Sequence, residues 1–120
     1  MLVEVKSLLC VDDSTEMLNF LVEFLEPEFR VVGTVSSGSS VVAAAASLDP
    51  DIILLDVGLG DTNGFLVAQQ LQNSGCSAKI VFFSVHDSHD FIEAAKAIGA
   101  AGYVSKSQIE RDLVKTLHSV

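Results

Sequence analysis

A chain of 120 residues with a hydrophobic share of 49% is long enough for a single domain with a substantial core, here expected over residues 1–120 with the core at about 7–118. The formal net charge of −9 argues against a surface that grips nucleic acid; it suits a divalent cation or a basic partner, or simply a soluble acidic surface. No apolar run approaches the ~20 residues that cross a bilayer. The segment Met1 to Lys6 lacks a signal-peptide core, so a cytoplasmic location is expected.

Ser7 to Val11 form a first apolar strand that stops on Asp12-Asp13. Ser14 and Thr15 are helix-start residues. Met17, Leu18, Phe20, Leu21, Phe24 and Leu25 then recur at helical spacing until Pro27. Phe29 to Val35 read as a second strand, Ser36 to Ser40 as a turn, and Val41 to Leu48 as an Ala-rich helix. After Asp49-Pro50-Asp51 comes a third strand, Ile52-Ile53-Leu54-Leu55, which ends on Asp56. A loop from Val57 to Asn63 leads into a helix from Gly64 through Leu71.

Lys79 to Phe83 are a fourth strand ending on Ser84, and Ser88 caps the next helix. Tyr103-Val104 are a short fifth strand followed by Lys106, and Gln108 to His118 a last amphipathic helix. Cys10 falls in a strand pattern as a small core residue, and Cys76 in a Ser/Gly loop; the two do not make a disulfide framework or, alone, a zinc site.

Strand and helix alternate five times with short connections, which predicts a parallel sheet covered by helices on both faces. The expected fold is α/β, flavodoxin-like, with strand order 2-1-3-4-5. In such sheets ligands bind beyond the carboxyl ends of the strands. That edge would collect Asp12, Asp13, Asp56, Ser84 and Lys106. Two unit charges ~4 Å apart repel by about 4 kcal/mol at an effective dielectric of about 20, so the carboxylates call for a cation. Mg²⁺ meets that need: it takes oxygen ligands, uses one or two carboxylates directly and keeps room for a phosphate oxygen. Lys106 and Ser84 could then hold a phosphoryl group attached to Asp56. Taken singly, Asp12-Asp13 read equally well as a helix cap and Lys106 as a surface lysine; their joint placement is the signal.

Asp12-Asp13, Asp56, Ser84 and Lys106, at these strand ends, resemble the receiver domains of two-component response regulators, from about Leu8 to Leu117. The segment Gly99 to Lys106 is most similar to receivers that carry a helix-turn-helix output domain, which would lie outside this chain. The resemblance implies that Asp56 accepts a phosphoryl group from a sensor histidine kinase or phosphotransfer protein. It implies Mg²⁺ held by Asp13, Asp56 and the backbone carbonyl of Gly58, with Asp12 acting through water. Ser84 and Tyr103 match the family's switch pair, and Gly58 and His86 the positions that tune dephosphorylation. The output would be altered partner binding, homodimerisation or transcription control, with no direct nucleic-acid binding by this domain and no reaction beyond its own phosphorylation and dephosphorylation.

Three positions depart from the family. Gly60 stands where a proline is common, so the loop after Asp56 is expected to be looser. Ser107 follows Lys106 where proline is common, so a trans bond is expected. Val85 is larger than the usual neighbour of Ser84 and narrows access.

Other readings remain. A Mg²⁺-dependent phosphohydrolase would want an acid/base after the nucleophile, for which only Asp61 offers itself. A flavodoxin-like cofactor binder would want a phosphate-cradling turn after the first strand, where Asp12-Asp13 repel phosphate. A receiver could also act unphosphorylated, as an interaction module. His86-Asp87-Ser88-His89-Asp90 also offers metal-ligand types, but histidines three apart at a helix start are expected to face solvent.

Overall fold

A computed structural model describes residues 5–120. The elements run β1 (Ser7–Val11), α1 (Thr15–Leu25), β2 (Arg30–Val35), α2 (Val41–Leu48), β3 (Ile52–Leu55), β4 (Gly58–Leu59), β5 (Thr62–Asn63), α3 (Gly64–Asn73), β6 (Lys79–Ser84), α4 (His89–Ile98), β7 (Gly102–Ser105) and α5 (Val114–Ser119). Five parallel strands form one sheet in the order β2-β1-β3-β6-β7, the expected 2-1-3-4-5 once the small β4-β5 hairpin is set aside. Among the described residues no helix is long and apolar enough to cross a membrane.

Alternation along the strands splits the core into two layers, because successive side chains point to opposite faces. Leu9, Val11, Ile53, Leu55 and Phe82 pack with Val41, Ala45, Val67, Leu71 and Ala95 from α2, α3 and α4. Leu8, Cys10, Ile52, Leu54, Val81, Phe83 and Val104 pack with Leu18, Leu21, Leu113 and Leu117 from the other side. The central strand β3 is therefore apolar at every position. Cys10 is fully buried and its thiol is pushed up to about 12 by desolvation; Cys76 is half-buried in the loop before β6.

The helix ends follow local chemistry. Ser14 caps α1, its hydroxyl accepting from the Met17 amide. Asn63 caps α3 in the same way through the Leu66 amide. Gly99 ends α4 in the left-handed region at φ 91°, where a side chain would be strained.

Four details differ from the sequence expectation. The 57–63 loop folds into an antiparallel hairpin that pairs Gly58 with Asn63 and Leu59 with Thr62. Phe29 lies ahead of β2, buried at its entrance. Ser88 occupies the N-cap of α4, but its hydroxyl makes no capping bond. The last helix is not uniform: a 3-10 turn (Lys106–Gln108) and a π turn (Ile109–Leu113) precede α5. The only cis peptide among the described residues is Glu26–Pro27, so Lys106–Ser107 is trans as expected.

Gly64 sits where the chain leaves the hairpin and passes back over the end of β3. Its N–H donates to the Val57 carbonyl at 2.7 Å, and a Cβ would stand 2.3 Å from the Asp56 carbonyl oxygen. Since backbone cannot give way cheaply, Gly64→Ala should destabilise the domain by about 1–3 kcal/mol in urea unfolding. Gly58→Ala, with no atom within 4 Å of its Cβ, should leave the midpoint nearly unmoved.

Candidate functional site

The carboxyl ends of β1 and β3 deliver two buried acids side by side. Asp12 is fully buried and Asp56 is 5% exposed, while Asp13, one residue on, faces solvent. Ser14 takes over the capping of α1, and Asp12 Oδ1 accepts from the Ser14 amide at 2.9 Å. The carboxylates of Asp12, Asp13 and Asp56 have oxygens all within 4.8 Å of one another, the only such group among the described residues.

Lys106 enters from the end of β7. Its ammonium donates to Asp12 Oδ2 at 2.7 Å and to Asp56 Oδ2 at 3.0 Å. Its side chain is only 15% exposed and its nitrogen lies 5.1 Å from the centre of the Phe83 ring. Asp56 Oδ1 in turn accepts from the Gly58 amide at 3.2 Å. One ammonium faces three carboxylates, and the uncompensated negative charge suits a hard divalent cation such as Mg²⁺.

These neighbours set the protonation of the pair. Burial pushes the Asp56 carboxyl up; Lys106 pulls it down, Asp12 pushes it up and the Gly58 amide pulls it down, with a net rise. For Lys106, burial alone would lower the pKa, but the bonds and charges of Asp12 and Asp56 outweigh it and hold the ammonium above the ordinary lysine value.

Ser84, fully buried, ends β6 on the same edge, and its hydroxyl accepts from the His86 amide at 3.0 Å. Tyr103 lies on the neighbouring strand, and its hydroxyl donates to the His86 carbonyl. Burial raises the Tyr103 phenol, the Ser84 hydroxyl works against this, and the charges of Asp87 and Asp56 add to it. His86 stacks on Phe91 at 4.7 Å, and Val85 is 69% exposed. His89 points to solvent beside Glu93, so the 86–90 stretch does not gather into a metal site among the described residues. Asp12, Asp13, Asp56, Gly58, Ser84, His86, Tyr103 and Lys106 therefore lie on or beside one edge of the sheet.

Asp61, weighed above only as an acid/base, makes a contact on this edge that the sequence does not show. Asp61 turns away from the trio and binds the turn ahead of α2, accepting from Ser37 Oγ at 3.0 Å and from the Gly38 and Ser39 amides at 3.0 and 3.1 Å. Those partners lie over twenty residues earlier, and no local motif signals the contact.

A five-stranded parallel sheet of this order, with buried acids at the ends of its first and third strands and a lysine after its last, defines a receiver. The response regulator receiver domain profile matches residues 8–118, and the chain belongs to that family. The chain is 34% identical over 117 residues to the nitrate/nitrite response regulator protein NarL of Escherichia coli K12, a match that covers 96% of this chain and 54% of NarL. It thus spans about half the length of the NarL relatives it matches. A LuxR-family two-component response regulator from Aurantimonas sp. superposes with a TM-score of 0.91 at 24% identity, over 97% of this chain and 84% of that one. A chain of the CheX-CheY-BeF3-Mg complex from Borrelia burgdorferi superposes at 0.88 with 19% identity, over 95% and 87%. These two likenesses establish the fold.

The raised Asp56 has a consequence for stability. The folded state binds its proton more readily than the unfolded chain does. Stability therefore falls as pH rises from the ordinary aspartate range through the raised value, and stays reduced above it. Asp56→Asn should accordingly be more stable than the parent at neutral pH in EDTA, with the gap closing as acid protonates Asp56 in both states. Urea midpoints across pH check this; a less stable variant at pH 7 would contradict it.

Proposed function

We propose that this domain is a phosphorylation switch in which Asp56 accepts a phosphoryl group from the phosphohistidine of a sensor histidine kinase or phosphotransfer protein. The observation that carries this is the Lys106 ammonium shared between Asp12 and Asp56 inside a group of three carboxylates. An Asp56 oxygen attacks phosphorus, the P–N bond breaks with its electron pair left on the imidazole, and the new P–O bond makes an acyl phosphate. Asp13, Asp56 and the Gly58 backbone carbonyl would hold Mg²⁺, with Asp12 acting through water, and the ion would neutralise charge on the transferring group. Lys106 then donates to a phosphoryl oxygen, and so does the Ser84 hydroxyl.

The switch follows from bonds already described. Ser84 Oγ accepts the His86 N–H, and the His86 carbonyl accepts the Tyr103 hydroxyl. A Ser84 side chain that turns to the phosphoryl group gives up its bond in the 84–86 turn, which is the turn Tyr103 grips. Movement of that turn and of Tyr103 reshapes the α4–β7 surface, and the phosphoryl group adds about −1.5 to −2 charge to drive it. Hydrolysis reverses the step: water attacks phosphorus, the P–O bond breaks, and inorganic phosphate leaves the Asp56 carboxylate. Gly58 and His86 flank that path and tune its rate.

The segment Gly99 to Lys106, similar to receivers that carry a helix-turn-helix output domain, supports a role in transcription control through such a domain, and the same reading includes dimerisation on phosphorylation. A phosphohydrolase acting on outside substrates is disfavoured by Asp61. Its carboxyl is held below the ordinary range first by the Gly38 amide and also by Ser37 and Ser39, which unfits it as a general acid.

Acetyl phosphate with Mg²⁺ should add one phosphoryl group by intact mass, and neither EDTA-treated protein nor Asp56→Asn should acquire it. Labelling that persists in Asp56→Asn would overturn the assignment, and a parent that never labels would favour an interaction module that works unphosphorylated. His86→Ala should change the lifetime of the acyl phosphate; an identical half-life would remove His86 from the tuning role.

A further inference from the structure

The β4-β5 hairpin is too short to hold its own shape: two residue pairs, joined by a turn that contains the unrestrained Gly60. Yet it bonds to the acidic trio at one point and runs close to it at another. The Gly58 amide binds Asp56 Oδ1, and a Cβ on Gly60 would stand 3.7 Å from Asp13 Oδ2. We propose that Asp61 is a positioning residue, clamping this hairpin to the turn ahead of α2 and so holding the cation side of the phosphorylation site in place. The clamp rests on the reading of that site given above.

Three observations favour it. Asp61 accepts three hydrogen bonds, from Ser37 Oγ, Gly38 N–H and Ser39 N–H, all at 3.0–3.1 Å. The surfaces behind those bonds are in tight contact: a Cβ on Gly38 would come 2.2 Å from Thr62 Cγ2 and 3.3 Å from Leu59 Cδ1, so the hairpin rests directly on the 37–40 turn. On the other flank Leu59 is buried in the core and Asn63 caps α3. The hairpin is thus pinned at its core side by packing and at its tip by one carboxylate. Releasing the tip frees Gly58 and Gly60 to drift from Asp56 and Asp13. The cost falls on groups that must stay converged for a cation, and not on the phosphoryl acceptor itself.

The test compares the parent, Asp61→Ala and Asp61→Asn by Mg²⁺ titration, followed through the ¹⁵N–¹H signal of Gly58. Labelling by acetyl phosphate is measured at low and at saturating Mg²⁺. Asp61→Ala should bind Mg²⁺ about 10-fold more weakly, the low end for loss of a group that orients metal ligands. Its labelling should be slow at low Mg²⁺ and recover at saturation. Asp61→Asn keeps an acceptor oxygen and should regain part of the affinity. An Asp61→Ala protein with a lower melting temperature and unchanged Mg²⁺ affinity would overturn the clamp, leaving Asp61 a cap for the α2 turn. Should Asp61→Ala fail to fold, Ser37→Ala removes one of the three bonds; a smaller weakening is expected, and unchanged affinity again overturns the clamp. A parent that neither binds Mg²⁺ nor labels would sink the phosphorylation reading and the clamp together, whereas a normal parent with a normal Asp61→Ala sinks the clamp alone.

Discussion

The structure turns on a charge imbalance held at short range. Lys106 reaches two buried carboxylates at 2.7 and 3.0 Å, and a third carboxylate, Asp13, stands within the same cluster. Burying a charge without a partner is costly, so neither Asp12 nor Asp56 is tolerable in this position without the lysine. The lysine alone cannot balance three acids. What remains is a site that is stable enough to fold and still carries uncompensated negative charge, the kind of surplus a hard divalent cation offsets.

The fold supplies this arrangement through strand polarity. Parallel strands bring the residues that follow their apolar runs to one edge, so Asp12, Asp56, Ser84 and Lys106 converge although 94 residues separate the first from the last. The two hydrophobic layers hold that edge rigidly from both sides: Phe82 faces α3 and α4, while Phe83, one residue on, faces α1 and α5 and lies under the Lys106 nitrogen. Strand β3 is apolar at all four of its positions, and its buried neighbours fix where the aspartate that follows it stands.

This much is legible in the residues, because a buried strand ending on a carboxylate is a strong local signal and topology does the rest. The parts that escape detection fail for identifiable reasons. Ile109, Leu113 and Leu117 recur every four residues, a spacing that an α-helix and a helix opening with a π turn satisfy alike, so the irregular start after Lys106 leaves no mark. The strands of the hairpin are two residues each, too short for alternation to appear. The bonds from the backbone amides of 38 and 39 to Asp61 are equally silent in the sequence, side-chain-to-main-chain contacts with no periodic signature.

The two cysteines divide the molecule in a way that bears on how it can be studied. Cys10 is sealed in the central sheet with its thiol protonated well beyond neutral pH, whereas Cys76 sits half-open in the connection into β6, at the end of the sheet opposite the acids. A maleimide dye or spin label would therefore attach at a single place without mutagenesis. It would report on the domain from the rim farthest from the chemistry, leaving the charged cluster undisturbed.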